Sequence, residues 1–400
     1  MVLLTIGLIL LSMNLRPALV AVSPLLDTIH ADTGMSTTME SLLTVLPILC
    51  FGLLAPLAPR IARRLGVDHT LMITMLVLIA GTVLRLLDST AALLAGSVGI
   101  GVAISVANVL MPGVIKREFP HRTALMSGVY TMTLFGSAAL AAGLTVPIKN
   151  AAGIGWRPAL ALWGLLAVAA AIAWVPQLLR RNRAATAGTA TTSAPRAAEQ
   201  PVRGLWKHPV AWLVACYFAA QALIFYTSAA FLPTILTDAG MSSGTAGWML
   251  SFSSLLAVAG AFAVPQLTGR GVKHGVLVVL SALLTAVAFV GILVGPATAT
   301  YLWMTLLGLG QGAGLSLSVV FILLRAPDSR HTAQLSSMAQ CSGYILAAVG
   351  PFAVGAIHQG TGGWTIPLLI LAVLAAPTIA CGLGSARERH ASYDVAEVSG

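Results

Sequence analysis

The residues with the most chemistry to offer sit where charge is least welcome. Residues 14–26 read NLRPALVAVSPLL, which puts Arg16 and Pro17 near the middle of an otherwise apolar run from about Leu3 to Asp27. At about 1.5 Å per helical residue, Arg16 is about 20 Å from Leu3, too deep to reach either surface easily. A charge at that depth costs about 2.5–3.5 kcal/mol on insertion scales, and intramembrane charges usually line a cavity. The guanidinium is a planar donor fork suited to a small anion, a nitro group or a carboxylate. Pro17 removes a backbone donor and frees a carbonyl, which loosens the helix beside the charge. Asn14 lies two residues earlier, on another face of a regular helix, and joins Arg16 only if the helix breaks locally. The competing reading of Arg16 is a packing arginine satisfied by backbone carbonyls.

Other side chains extend or limit that chemistry. Arg85 lies near the outer end of the third apolar run, 70–87, where an interfacial, snorkelling arginine and a gating or entry role are equally served. Asn108, Tyr130, Gln221, Tyr226, Gln311, Gln340 and Tyr344 are uncharged polar residues inside apolar runs. Singly, each serves as interhelical glue worth about 0.6 kcal/mol; together they supply hydrogen bonds and aromatic faces around one cation. Gln340 and Tyr344, four apart, share a helix face.

All twelve acids lie in loops, tails or helix ends, and none of the eight histidines is central. Proton-coupled porters commonly use a mid-membrane carboxylate, so the expectation is weak proton dependence, or coupling through Glu40. Glu40 equally suits a carboxylate complementing a helix N-terminus. The glycines of GIG (99–101) and GLGQGAG (308–314) lack a Walker lysine and predict close helix packing. Cys50, Cys216, Cys341 and Cys381 have no ligand-like spacing and read as small buried hydrophobes. No cofactor and no metal site is expected.

These residues are carried by membrane-spanning helices. Of 400 residues, 58% are hydrophobic and 8% charged, against about a quarter charged in soluble proteins; mean hydropathy is +0.92. The apolar residues fall into twelve runs of transmembrane length: 3–27, 39–59, 70–87, 91–115, 124–147, 157–178, 209–235, 244–268, 275–295, 299–324, 333–357 and 364–384. The net charge of +10 is a topology signal, because 18 of the 22 basic residues fall in the even-numbered connections and the C-terminal tail. The positive-inside rule then puts both termini and the central loop in the cytoplasm, with no nucleic-acid partner. The first run resembles a signal peptide weakly, but Arg16 interrupts it, and it is read as a retained helix. Trp156, Trp248, Trp303 and Trp364 suit an outer aromatic belt, and Trp174, Trp206 and Trp212 an inner one. Pro47, Pro112, Pro147, Pro265 and Pro351 serve equally as gating bends or simple kinks.

Residues 180–207 are basic and rich in Ala, Thr and Pro, a linker between two related halves. An offset of 209 superposes Pro24 on Pro233, Gly99 on Gly308, Gly101 on Gly310, Lys116 on Arg325, Thr123 on Thr332, Ala124 on Ala333 and Ser127 on Ser336. Near that register DTGMS (32–36) matches DAGMS (238–242), and the Trp156 turn echoes the Trp364 turn. Parallel six-helix repeats are the organisation of major facilitator transporters. The predicted architecture is an all-α membrane protein of twelve transmembrane helices in two pseudo-symmetric bundles, 1–179 and 208–386, joined by 180–207 and followed by a tail, 387–400.

The motifs NLRPALVAVSPLL, LLTVLP (42–47), NVLMPGVIKREFP (108–120) and LSSMAQCSGYILAAVGP (335–351) resemble the cyanate/2-nitroimidazole porter family of that superfamily. PLLDTI (24–29) and GLWKHPVAW (204–212) lean toward the nitroimidazole branch. The resemblance implies a compact solute and secondary transport. Two departures stand out. PRIARRLGVDHT (59–70) has Arg63 where the superfamily's loop carries an acid, and the fifth run lacks the G-x-x-x-G-P-x-x-G-G signature of drug/proton antiporters.

The resulting expectation is a monomeric secondary transporter of a bacterial-type inner membrane. It moves a small polar or anionic solute by alternating access, with lipid and the solute as partners and a proton as candidate coupling ion. Arg16, Asn14, Asn108, Tyr130, Gln221, Tyr226, Gln311, Gln340 and Tyr344 are the expected solute contacts, and Glu40, Arg85 and Pro17 the gating or coupling residues. A multidrug exporter of the same fold is the alternative. A membrane-embedded enzyme or scaffold is disfavoured, because the helices hold no nucleophile–base set or metal cluster.

Overall fold

The computed structural model describes residues 2–35, 37–186, 204–295 and 299–387; some side chains within these helices, Glu40 among them, lie outside the described set. Every regular element among the described residues is helical. Twelve are long and apolar enough to cross a membrane. Spans 1–6 are Leu4–Leu25, Val45–Leu65, Val67–Leu84, Thr90–Glu118, Pro120–Ala152 and Trp156–Leu179. Spans 7–12 are Pro209–Asp238, Gly244–Gly269, His274–Val294, Thr300–Arg325, Ser329–Thr361 and Thr365–Ala386. Each of the twelve predicted runs has its span. The helix of span 6 continues to Thr186, into the predicted linker; 187–203 and the tail from 388 lie outside the described residues.

Contacts divide the described residues into two compact units. One holds the residues up to Val114 with 136–186; the other holds Ile115–Phe135 with those from Gly204 onward. In the first, Val22, Leu25, Ile29, Leu43, Leu93 and Trp156 form a core. In the second, Leu232, Leu236, Met249, Phe289, Met304 and Leu368 form another. Large apolar side chains also face outward, Leu53, Ile172, Phe352 and Val294 among them. Lipid tails are as apolar as leucine, so that face carries no penalty in a bilayer. Packing inside each unit must therefore come from close fit, and the glycines supply it. A Cβ on Gly308 would collide with the carbonyl oxygen of Ser253, and one on Gly312 with that of Ala257, so spans 8 and 10 meet backbone to backbone.

Prolines act unequally. Pro47, Pro112, Pro147, Pro265 and Pro351 lie inside continuous helices. Span 1 instead breaks at Pro17, and span 2 passes through a 3-10 turn at Ala55–Leu57 that contains Pro56, with Pro59 in the first turn of the helix that follows. Trp206, Trp212 and Trp248 are exposed, as a belt requires. Trp174 corrects the expectation: it is 1% exposed and packs inside the first unit, with Gly7 against its ring.

Candidate functional site

Span 1 is three helical pieces. A helix over Val2–Met13 closes with tight bonds, Asn14 N–H to Leu11 O and Leu15 N–H to Ser12 O, both 3.2 Å. Pro17 has no N–H to continue the ladder. A short helix, Pro17–Val20, starts afresh with Arg16 as its N-cap, whose carbonyl accepts from Leu19 and Val20 at 3.1 and 3.0 Å. A 3-10 turn over Ser23–Leu25 then leads into the helix Leu26–Thr33. Leu15, Pro17 and Ala18 are buried, whereas Arg16 between them is partly exposed.

The break spends Asn14 on packing. Its amide nitrogen donates to Leu10 O at 2.6 Å and to Leu166 O of span 6 at 3.0 Å. Both amide protons are then committed, and the side-chain carbonyl is what it has left to offer. The break also leaves Ala18 O without its helical donor, because Val22 N–H donates to Leu19 O at 3.3 Å instead. Arg85 fills that vacancy: Nη1 donates to Ala18 O at 2.7 Å and Nη2 to Ser97 Oγ at 2.8 Å. At 2% exposure Arg85 is not an interfacial, snorkelling arginine. Asn108 of span 4 is buried in the same unit.

In the second unit, aromatic rings form an edge-on chain. Phe135 meets Phe225 at 5.7 Å between centroids, Phe225 meets Tyr226 at 5.3 Å, Tyr226 meets Tyr344 at 6.1 Å, and Tyr344 meets Phe218 at 5.7 Å. Of these, Tyr226 and Tyr344 were named from sequence; Phe135, Phe218 and Phe225 were missed, since phenylalanine in an apolar run carries no signal. Gln340, one turn from Tyr344, donates to Ser336 Oγ at 2.9 Å, and Gln311 donates to Ser228 Oγ at 3.0 Å. Gln221 faces elsewhere, packing over Gly314 and lining a small void with Thr285 and Thr378. Tyr130 is buried. Among the nine expected solute contacts, Arg16 and Tyr226 are the two partly exposed ones.

The acids among the described side chains lie at span ends or beyond. Asp32, past span 1, accepts from the Trp156 indole at 2.9 Å and from Arg157 at 2.9 Å, and Arg157 also reaches Asp88 at 2.7 Å. The Trp156 hydrogen bond, with Arg157 adding to it, holds the Asp32 carboxyl below its ordinary range. At the end of span 7, Asp238 accepts from the Trp364 indole at 2.7 Å. The duplicated basic positions both cap helix ends. Lys116 donates to Leu323 O and Ala326 O at the end of span 10, and Arg325 to Ser385 O and Ala386 O at the end of span 12. Helix C-termini present carbonyls that attract cations. No group of three or more potential metal ligands occurs among the described residues.

Twelve apolar spans, with Arg85 buried and Arg16 partly exposed at a break in the first of them, define a multi-pass helical membrane protein that keeps polar groups at depth. The chain belongs to the Major Facilitator Superfamily, whose profile matches residues 2–333 and 222–394. Over 384 residues it is 35% identical to the 2-nitroimidazole transporter of Escherichia coli (strain K12), covering 96% of this chain and 95% of that one. It is 30% identical over 358 residues to the cyanate transport protein CynX of the same organism, covering 89% and 90%. In three dimensions it resembles the proton:xylose symporter XylE bound to 6-bromo-6-deoxy-D-glucose, with a TM-score of 0.76, 12% identity and coverage of 98% and 96%. The fold is therefore the major facilitator fold, and the family resemblance read from the motifs of spans 1, 4 and 11 holds.

Proposed function

We propose that this chain is a secondary active transporter, working by alternating access, for a compact planar solute that is anionic or carries an anion-like group. The relatives named for 2-nitroimidazole and cyanate transport support that chemical range. The observation that carries the reading is Arg16, partly exposed at a proline break in mid-span while its neighbours Leu15 and Pro17 are buried. Its guanidinium is a planar donor fork that suits the oxygens of such a solute. Tyr226, in the second unit, is the other partly exposed member of the expected set and lies edge-on to Phe225 and Tyr344. The solute crosses unconverted, in a bacterial inner membrane with both termini in the cytoplasm, as the basic connections favour. With every acid away from mid-span, a proton gradient drives little accumulation, or acts through Glu40.

The test uses purified wild type, Arg16→Ala and Arg16→Lys, each first checked for a monodisperse, thermally stable fold. Binding and proteoliposome flux of 2-nitroimidazole and of cyanate are measured with and without an imposed pH gradient. Arg16→Ala should lose binding and flux; Arg16→Lys keeps the charge but not the fork and should remain badly impaired. A stable Arg16→Ala protein with wild-type affinity and flux overturns the site.

A further inference from the structure

We infer that Arg85 is a positioning residue for Arg16, holding the broken middle of span 1 in the shape that presents Arg16 to the solute. The inference rests on the functional reading above and adds to it a residue that never touches the solute. Once Pro17 and the tight Val22–Leu19 bond have interrupted the ladder, Ala18 O has lost its helical donor. No water is available in a hydrocarbon interior to satisfy it. Left alone, the segment would regain a regular helix or shift to find another donor, and Arg16, two residues before Ala18, would turn with it. Arg85 removes that freedom. Its guanidinium bonds Ala18 O on one arm and Ser97 Oγ on the other. Ser97 in turn donates to Leu93 O at 2.7 Å, so the break is braced to the backbone of span 4.

The surroundings are shaped for this side chain. A Cβ on Gly96 would come within 2.9 Å of Arg85 Cγ, so glycine there leaves room for the stem. No carboxylate pairs with Arg85 among the described side chains. A buried cation without a counter-ion is a poor way to stabilise a fold, since an apolar residue would do better. What an apolar residue cannot do is join two acceptors on two spans with one rigid plane.

The experiment measures binding of 2-nitroimidazole and cyanate to wild type, Arg85→Lys, Ser97→Ala, Arg16→Ala, Arg16→Lys and the Arg16→Lys/Arg85→Lys double variant, each with a thermal melt. Lysine keeps the charge but reaches only one of the two acceptors. Arg85→Lys is expected to fold and to bind at least tenfold more weakly, and Ser97→Ala to show a smaller loss of the same kind. In the Arg16→Lys background, which retains residual binding, Arg85→Lys should add much less than its own tenfold loss, because its effect runs through Arg16. A merely structural arginine would instead lower the melting temperature and leave affinity unchanged.

A folded Arg85→Lys protein with wild-type affinity overturns the inference, as does wild-type affinity in Ser97→Ala if Arg85→Lys does not fold. Should Arg16→Ala itself bind both probes normally, the functional reading fails. Amide exchange then judges the brace separately, in nanodiscs without ligand. Faster exchange confined to residues 14–26 in Arg85→Lys supports it, and unchanged exchange there refutes it.

Discussion

The indole nitrogen of Trp364 donates to the carboxylate of Asp238 at 2.7 Å, repeating the bond from Trp156 to Asp32 at 2.9 Å. In each unit the tryptophan stands at the start of the last span and the aspartate at or beyond the end of the first, so one hydrogen bond ties those two spans together. The first unit has elaborated the pair. Arg157 lies with its guanidinium carbon 4.3 Å from the Trp156 ring centroid and bridges Asp32 to Asp88. In the second, His358 stacks on Trp364 at 3.8 Å.

Replacing either indole by phenylalanine removes the donor and keeps most of the ring. Trp364→Phe should lower stability by about 0.5–1.5 kcal/mol, the net value of one hydrogen bond. Trp156→Phe should lower it further, because that ring is 5% exposed and also supports Arg157. Melting of the detergent-solubilised proteins checks the order; unchanged melting in both would mean the pairs are incidental.

The glycine contacts between spans 8 and 10 make a sharper demand. A methyl group at Gly312 meets the backbone of Ala257, which has no rotamer to yield. Gly312→Ala should therefore destabilise by about 1–3 kcal/mol, as overpacking does. Gly247→Ala, on the exposed side of span 8 with nothing near it, should change stability by less than about 1 kcal/mol. Equal melting temperatures for the two variants would remove close packing as the reason for the glycine run.

Asp328 opens span 11 by accepting from His331 N–H at 2.8 Å and from its ring nitrogen at 2.9 Å. The bond to the His331 side chain, joined by the backbone bond, holds the carboxyl down at about 2, against about 3.9 for an ordinary aspartate. A carboxyl with a depressed folded pKa stabilises the fold above its unfolded value, and that contribution fades as pH falls through the folded one. Asp328→Ala should thus melt lower than wild type at pH 7, by roughly the 1 kcal/mol of a lost N-cap. The gap should close between about pH 4 and pH 2. Melts across that range decide it, and a gap undiminished at the acid end contradicts the assignment.

The twelve spans were legible in the chain because span length and apolarity are local quantities. A bilayer requires about 20 apolar residues whatever the neighbouring helices do. The duplication was legible for a related reason: Trp156 and Trp364 keep their places because each ties a last span to an aspartate at or beyond the end of a first one. Lys116 and Arg325, by contrast, share a position in sequence but cap different helix ends, those of spans 10 and 12. Arg16 and Pro17 announced a broken span through composition alone, since a charge and a missing donor are anomalies in any apolar run. Tertiary structure decided how each anomaly was resolved. Composition left Arg85 balanced between a snorkelling and a gating arginine. Its burial against Ala18, 67 residues earlier, depends on how span 3 is packed against span 1. Asn14 turned to span 6, Gln221 to an interior void and Trp174 into the core for the same reason. Which face a polar residue presents, and which carbonyl has lost its donor, are set by partners far along the chain, and no local pattern encodes them.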